Sequence, residues 1–165
     1  MEIDPNRVWP TGLTLAESEE LHRHVIEGTR IFGFIAALAH LQANGHAHFL
    51  VVCPATVLVN WVHEVAKHSD LVAHRVHGDG RDDVLATWVR DGGVAVTTFE
   101  TLRSLAVPDD VELAMVVVDE AHYVKNADAR RSRAVRAVSA RAARAMFLTG
   151  TPMENRVEEF RTLVS

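Results

Sequence analysis

The sequence predicts an α/β fold around a mostly parallel sheet, and three observations carry that prediction. Short apolar or β-rich runs recur along the chain, at 48–53, 94–99, 113–118 and 145–149, with a further short strand candidate at 73–77. Helix-like segments separate them. Most of the runs end on a polar or turn-forming group, among them Pro54, Gly78, Asp119 and Gly150. Strands that are apolar on both faces are covered on both, which is the mark of a parallel sheet between two helical layers. With 165 residues, 48% of them hydrophobic and 24% charged, the chain is large enough for one buried core and is neither disordered nor low-complexity.

The elements follow in order. Residues 1–13, with Pro5, Pro10 and Gly12, read as an irregular lead-in. Thr14 to Glu17 form a capping-box pattern, so a helix is expected over 15–26. Residues 27–34 carry two glycines and break it, and 34–43 is the next helix, stopped by Asn44-Gly45. After the strand at 48–53 and Pro54, a helix is expected over 56–68. The strand at 73–77 ends at Gly78, and a helix over 81–90 ends at Gly92-Gly93. The strand at 94–99 leads into a short helix at 100–105. The strand at 113–118 runs into Asp119-Glu120, and an Ala- and Arg-rich helix covers 130–143. The last strand, 145–149, precedes a helix at 155–164. Aromatics are only 6% of the chain, so Val, Leu, Ala and Ile must fill the core.

Composition narrows the function classes. The formal charge of −5 gives no global basic signature, so any nucleic-acid contact must be local. A single cysteine, Cys53, excludes an internal disulfide framework and a Cys-rich zinc site, and it fits a cytoplasmic location. No apolar run approaches the roughly 18 residues that cross a bilayer, so no membrane partner is expected. Ten histidines invite a metal reading, but His63 to Lys67 lacks the second histidine of H-E-x-x-H, and dispersed surface histidines fit better.

In open parallel sheets the ligand site lies at the carboxyl ends of the strands. Asp119-Glu120-Ala121-His122 is the sharpest of these ends. Adjacent carboxylates after an apolar strand suit metal-phosphate chemistry, one holding Mg²⁺ and the other polarising a water. They also suit plain electrostatic capping of the next helix. Pro54-Ala55-Thr56, Thr97-Thr98 and Thr149-Gly150-Thr151-Pro152 are the other ends of interest. Hydroxyls and backbone N–H groups at helix starts suit phosphate oxygens, whereas Thr97 and Thr98 also suit a strand by propensity alone. Trp61 falls on the same helical side as Val57, Leu58 and Val65, so it suits the core equally. The arginines at 130, 131, 133, 136, 141 and 144 do not keep to one side of their helix, and a solvated face is the simpler reading than a DNA strip.

Four ordered segments together resemble the Swi/Snf-type ATPases, relatives of the superfamily-two helicases. VVVDEAHYVKN at 116–126 resembles their motif II, and FLVVCPATVLVNWVHEVAKH at 49–68 resembles motif Ia. VAVTTFETLRS at 94–104 resembles motif Ib, and FLTGTPMENRVEEFRTLVS at 147–165 resembles motif III. The likeness runs from about residue 34 to 165. It implies a RecA-like, three-layer first lobe spanning 1–165, cut after motif III, of an enzyme that hydrolyses Mg²⁺-ATP while moving on duplex DNA. A second RecA-like lobe, or a partner chain, would complete it. Carried over by motif, Asp119 would bind Mg²⁺, Glu120 would activate water, and His122 would act beside them. The Thr149-Gly150-Thr151 turn would couple nucleotide state to DNA contacts. Pro54, Ala55, Thr56, Asn60, Trp61, Thr97 and Thr98 would lie along a DNA strand, with Lys125 and Asn126 on the same face.

The chain departs from that family at motif I. A phosphate-binding loop needs glycines so that backbone N–H groups can wrap the phosphates, a Lys for the β/γ charge and a hydroxyl for Mg²⁺. The only lysines are Lys67 and Lys125, and no Gly-Lys-Thr or Gly-Lys-Ser occurs. If 34–41 is the helix that follows motif I, the loop falls on 27–33, with Gly28 and Thr29 in it, Arg30 at the lysine position and Ile31 at the hydroxyl position. Arginine keeps the charge but not the compact ammonium geometry, and Ile31 cannot ligate Mg²⁺. The one glutamine, Gln42, lies inside a helix, so the adenine-recognising Gln has no candidate. Two expectations follow: an ATPase lobe inactive by itself, or a DNA- or partner-binding module without nucleotide chemistry.

Overall fold

In the computed structural model of the protein, the described residues are 31–121 and 129–148. They form helix α1 over 31–43 and then β1 (His48–Cys53), α2 (Ala55–His68), β2 (Ala73–Arg75) and α3 (Arg81–Asp91). These are followed by β3 (Gly93–Thr98), α4 (Phe99–Leu102), β4 (Leu113–Val118), α5 (Ala129–Arg141) and β5 (Ala145–Phe147). The expected helix at 15–26 and the one at 155–164 lie outside the described residues. Residues 31–34, read from their glycine as part of a break, are already helical. Gly33 is exposed, with open space where a β-carbon would stand, so the helix passes through it with only the entropic cost of glycine.

The five strands form one sheet in the order β2-β3-β1-β4-β5, and every pairing is parallel. The alternation of side chains sorts the strand residues into two cores. Phe49, Val51, Cys53, Val94, Val96, Met115 and Val117 face α1 and α2. Leu50, Val52, Ala95, Val116 and Val118 face α3, α4 and α5. This is why β1, β3 and β4 are continuous apolar runs rather than alternating ones: each is buried over nearly its whole length.

Chain direction explains the layering. From β1 the chain moves two places across the sheet to β2, then returns through β3, β4 and β5. Right-handed crossovers in opposite directions must use opposite faces. Accordingly α2 lies on one face, while α3, α4 and α5 lie on the other. The helices after β1 and β4 therefore diverge, and a crevice opens between the carboxyl ends of these two neighbouring strands. That reversal is the place where such sheets hold ligands.

Candidate functional site at the carboxyl edge of the sheet

Asp119 is the first residue beyond β4 and stands at that crevice. Its N–H still donates to Val52 O on β1 at 2.8 Å, so the backbone is locked to the sheet while the side chain leaves it. The carboxylate is buried, at 9% exposure, and both oxygens accept hydrogen bonds. Trp61 Nε1 donates to Oδ2 at 2.8 Å, and the Glu120 backbone N–H donates to Oδ1 at 2.8 Å. A buried carboxylate needs such donors, because an uncompensated one is costly in a low-dielectric interior. Each oxygen keeps a second lone-pair direction after these bonds.

Glu120 adopts φ 53°, the left-handed region, and is the one described non-glycine residue that does. The strain is held by its neighbours: Ala121 N donates to Leu148 O at 2.7 Å and Leu148 N to Val118 O at 2.8 Å. The turn thus bends the chain out of the sheet and leaves the Glu120 side chain half-buried beside Asp119. A strained residue fixed by its surroundings is the kind of backbone found where function requires a set geometry. Cys53 sits one strand away. Burial, and then the Asp119 charge, push its thiol far above the ordinary range, so it stays a neutral core group.

The residues read as DNA contacts divide into two sets. Ala55, Thr56 and Asn60 are exposed along the start of α2, directly after β1, with Pro54 half-buried at its N-cap. That first turn carries no acidic residue, so nothing there opposes an anion at the helix start. Trp61, Thr97 and Thr98 are buried, at 0%, 0% and 3% exposure. Trp61 is spent on Asp119 and the core, the alternative that its helical side allowed. Thr97 Oγ1 donates to Val76 O at 2.9 Å. Thr98 caps α4, its Oγ1 accepting from Thr101 N at 3.2 Å and donating to Thr101 Oγ1 at 3.0 Å. These three side chains build the edge rather than line its surface. Gly28, Thr29, Arg30, His122, Lys125, Asn126, Thr149, Gly150 and Thr151 lie outside the described residues.

Sequence reading missed the indole–carboxylate bond, although a tryptophan on the buried side of a helix that leads away from the site was its signal. It also missed the Thr98–Thr101 pair, beside which His77 Nδ1 lies 2.9 Å from Thr101 Oγ1. Among the described residues, no group of three or more His, Cys, Asp or Glu could hold a metal ion. Among them, too, no helix is long and apolar enough to cross a membrane.

The arrangement of sheet, crevice and acidic turn agrees with the comparisons. Residues 27–165 match the SNF2-related domain. The chain belongs to the SNF2-related domain family. The solved SWI2/SNF2 ATPase core of Sulfolobus solfataricus, in complex with dsDNA, superposes with a TM-score of 0.62 at 29% identity, over 74% of this chain and 25% of that one. The fold is therefore the RecA-like α/β fold of that core. Mouse DNA excision repair protein ERCC-6-like 2 is 35% identical over 113 residues, 67% of this chain and 7% of the relative. The Drosophila melanogaster SWI/SNF-related regulator of chromatin containing a DEAD/H box is 32% identical over 145 residues, 79% of this chain and 17% of the relative. The chain thus spans less than a fifth of either SNF2 relative.

A second likeness is independent of the first. Over 50 residues, 30% of this chain, it is 52% identical to the light-harvesting protein B-800/850 beta chain of Rubrivivax gelatinosus, of which it covers 98%. Over that stretch the chain belongs to the light-harvesting beta-chain family. Only residues 1–26 lie outside the SNF2-related match, so the two likenesses overlap wherever the shorter one is placed.

Proposed function

We propose that this chain is the motif Ia to motif III part of the first lobe of a SNF2-type DNA translocase. In this reading it keeps the DNA-facing edge and the motif II corner and does not hydrolyse ATP by itself. The carrying observation is the mismatch between that corner and the loop that should face it. Asp119 and Glu120 stand at the sheet's switch point as motif II requires, whereas the position read as the Mg²⁺-ligating hydroxyl is Ile31, buried with Ile35 and Leu38 in the core. A side chain without an oxygen, packed among aliphatic groups, cannot ligate a cation. With no Gly-Lys-Thr or Gly-Lys-Ser in the sequence, the residues present do not fit the phosphates of ATP.

The light-harvesting likeness supports a cause. Residues 1–48 lie ahead of every SNF2 motif, and no other run of that length is free of them, so we place the 50-residue stretch at the start of the chain, where it reaches only the first residues of motif Ia. On this placement Gly28, Thr29 and Arg30 are not a decayed phosphate loop; they come from a different family, and the loop is replaced rather than mutated. Exposed Ala55, Thr56 and Asn60 at the start of α2 then remain as phosphate-backbone contacts for duplex DNA.

Calorimetry tests the reading. Titration of Mg²⁺-ATP into the full chain should give no binding heat up to millimolar nucleotide, and Asp119→Ala should behave identically. Micromolar binding that loses its Mg²⁺ dependence in Asp119→Ala would overturn it and restore Arg30 as a working substitute for the lysine.

A further inference from the structure

Helix α1 does not run as the helix after a phosphate loop must. Such a loop leaves the carboxyl end of a strand, so its helix starts at the carboxyl edge and ends at the amino edge. The end of α1 obeys this. His46 N donates to Leu41 O at 3.1 Å, and Gly93 N, at the start of β3, donates to Ala47 O at 2.8 Å, so the chain leaves α1 at the amino edge. The first described turn does not. The Phe32 ring meets the His68 ring edge to face, with centroids 5.1 Å apart. His68 is the last residue of α2, which starts beside the crevice at Ala55 and returns the chain to the amino edge for parallel β2. Over its 14 residues α2 carries the chain about 21 Å from the carboxyl edge.

Both Phe32 and the end of α1 therefore stand at the amino edge, and the helix lies across the strands rather than along them. The sequence explains why it can. Residues 31–43 hold no Asp, Glu, Lys or Arg, so no ion pair anchors the helix at the crevice. Ile31, Ile35, Leu38 and Leu41 make one apolar stripe. They share a core with Phe49, Leu71, Ala114 and Met115, which lie at or just before the starts of β1, β2 and β4. The ring that receives Phe32 is itself held, because Glu64 Oε2 lies 3.0 Å from His68 Nε2 one turn back on α2.

We infer that α1 is a strap laid across the amino half of the sheet and pinned by Phe32 on His68. This placement, and not only the lost lysine and hydroxyl, leaves the crevice at Asp119 without a phosphate loop from α1. The inference takes from the functional reading only that Asp119 marks the nucleotide corner. Rewriting the residues ahead of α1 toward a phosphate loop therefore does not restore nucleotide binding.

Nitroxide pairs in the full chain test the direction. Gly33→Cys is exposed and has open space for a side chain. It is labelled together with Lys67→Cys near the end of α2 or with Thr56→Cys near its start, two exposed positions about 16 Å apart along the helix. Labelled wild type controls for the buried Cys53. Dipolar broadening is expected for 33 with 67 and not for 33 with 56. Broadening that is absent from the first pair, or as strong in the second, would overturn the strap. Calorimetry tests the consequence. Arg30→Lys/Ile31→Thr, which writes Gly-Thr-Lys-Thr over 28–31, should give no Mg²⁺-ATP binding heat up to millimolar nucleotide. Circular dichroism checks that it folds, and Arg30→Lys alone, which leaves the core intact, replaces it if it does not. Micromolar binding by the variant with none by the wild type would overturn the strap and spare the functional reading, whereas binding by the wild type would overturn both.

Discussion

Trp61 and Asp119 share a buried hydrogen bond of 2.8 Å that ties the helix of motif Ia to the turn of motif II. A hydrogen bond to a charged group is worth about 1.5–3 kcal/mol, and a donor lost beside a buried carboxylate costs the upper part of that range. Trp61→Phe keeps most of the apolar volume and removes only the N–H, so it should destabilise the chain by about 2–3 kcal/mol. The interaction is shared, so Asp119→Asn, which keeps an acceptor but removes the charge, should cost less in the Trp61→Phe background than in wild type. Urea melts of the four proteins measure this, and strictly additive costs would sink the assignment. At this scale the sequence was half legible. Helical spacing put Trp61 on the side of Val57, Leu58 and Val65 but could not say that its polar end had a partner 58 positions away. Thr97 and Thr98 carry the same lesson: a hydroxyl at a strand end reads as a phosphate contact until the cap and the neighbouring carbonyl that use it are seen.

Elements were more legible than residues, because burial on both faces leaves a mark in every position of a strand. The strands at 48–53 and 113–118 were read to the residue. Errors lie where hydrogen bonding, not hydropathy, decides the end. Thr98 accepts from Thr101 N, so Phe99 turns into α4 instead of extending β3. The strand expected to reach His77 pairs only to Arg75, although Val76 N still bonds Val96 O at 2.9 Å. The start of β3 depends on a glycine. Gly93 has φ +103°, and a β-carbon there would lie 2.4 Å from Val72 O, the carbonyl that accepts from Val94 N as β2 begins to pair. Gly93→Ala meets both a backbone penalty and a backbone atom that cannot swing aside, and should cost about 2–4 kcal/mol. Gly45→Ala, also at positive φ but in open space, should cost only the conformational part, about 1–2 kcal/mol. Thermal melts that rank the two variants equally would show that the approach of Val72 O is not what fixes the glycine.

At the scale of the whole molecule the difficulty lies at helix α1, which falls within the SNF2-related match and, on the placement proposed above, within the light-harvesting likeness as well. Helix α1 has the spacing of any helix that covers a sheet, so pattern alone aligned it with the helix that follows a phosphate loop. Nothing in a 3.6-residue period records which family supplied the helix. Yet α1 is not a passenger on the lobe. Ile31, Ile35, Leu38 and Leu41 are buried in the same core as Phe49, Val51, Val96 and Val117. Burial of four such side chains contributes on the order of 6–12 kcal/mol, at about 1.5–3 kcal/mol each. A domain of this size has a net stability of only about 5–15 kcal/mol. Deletion of residues 1–45 should therefore leave the SNF2 part unable to fold as a monomer, with no cooperative urea transition and early elution or aggregation on size exclusion. Leu38→Ala in the full chain should cost about 2–5 kcal/mol while leaving one cooperative transition. If instead the deleted chain melts cooperatively near the wild-type midpoint, residues 1–45 merely rest on a lobe that is stable without them. The absence of motif I would then be a loss of function with no structural replacement.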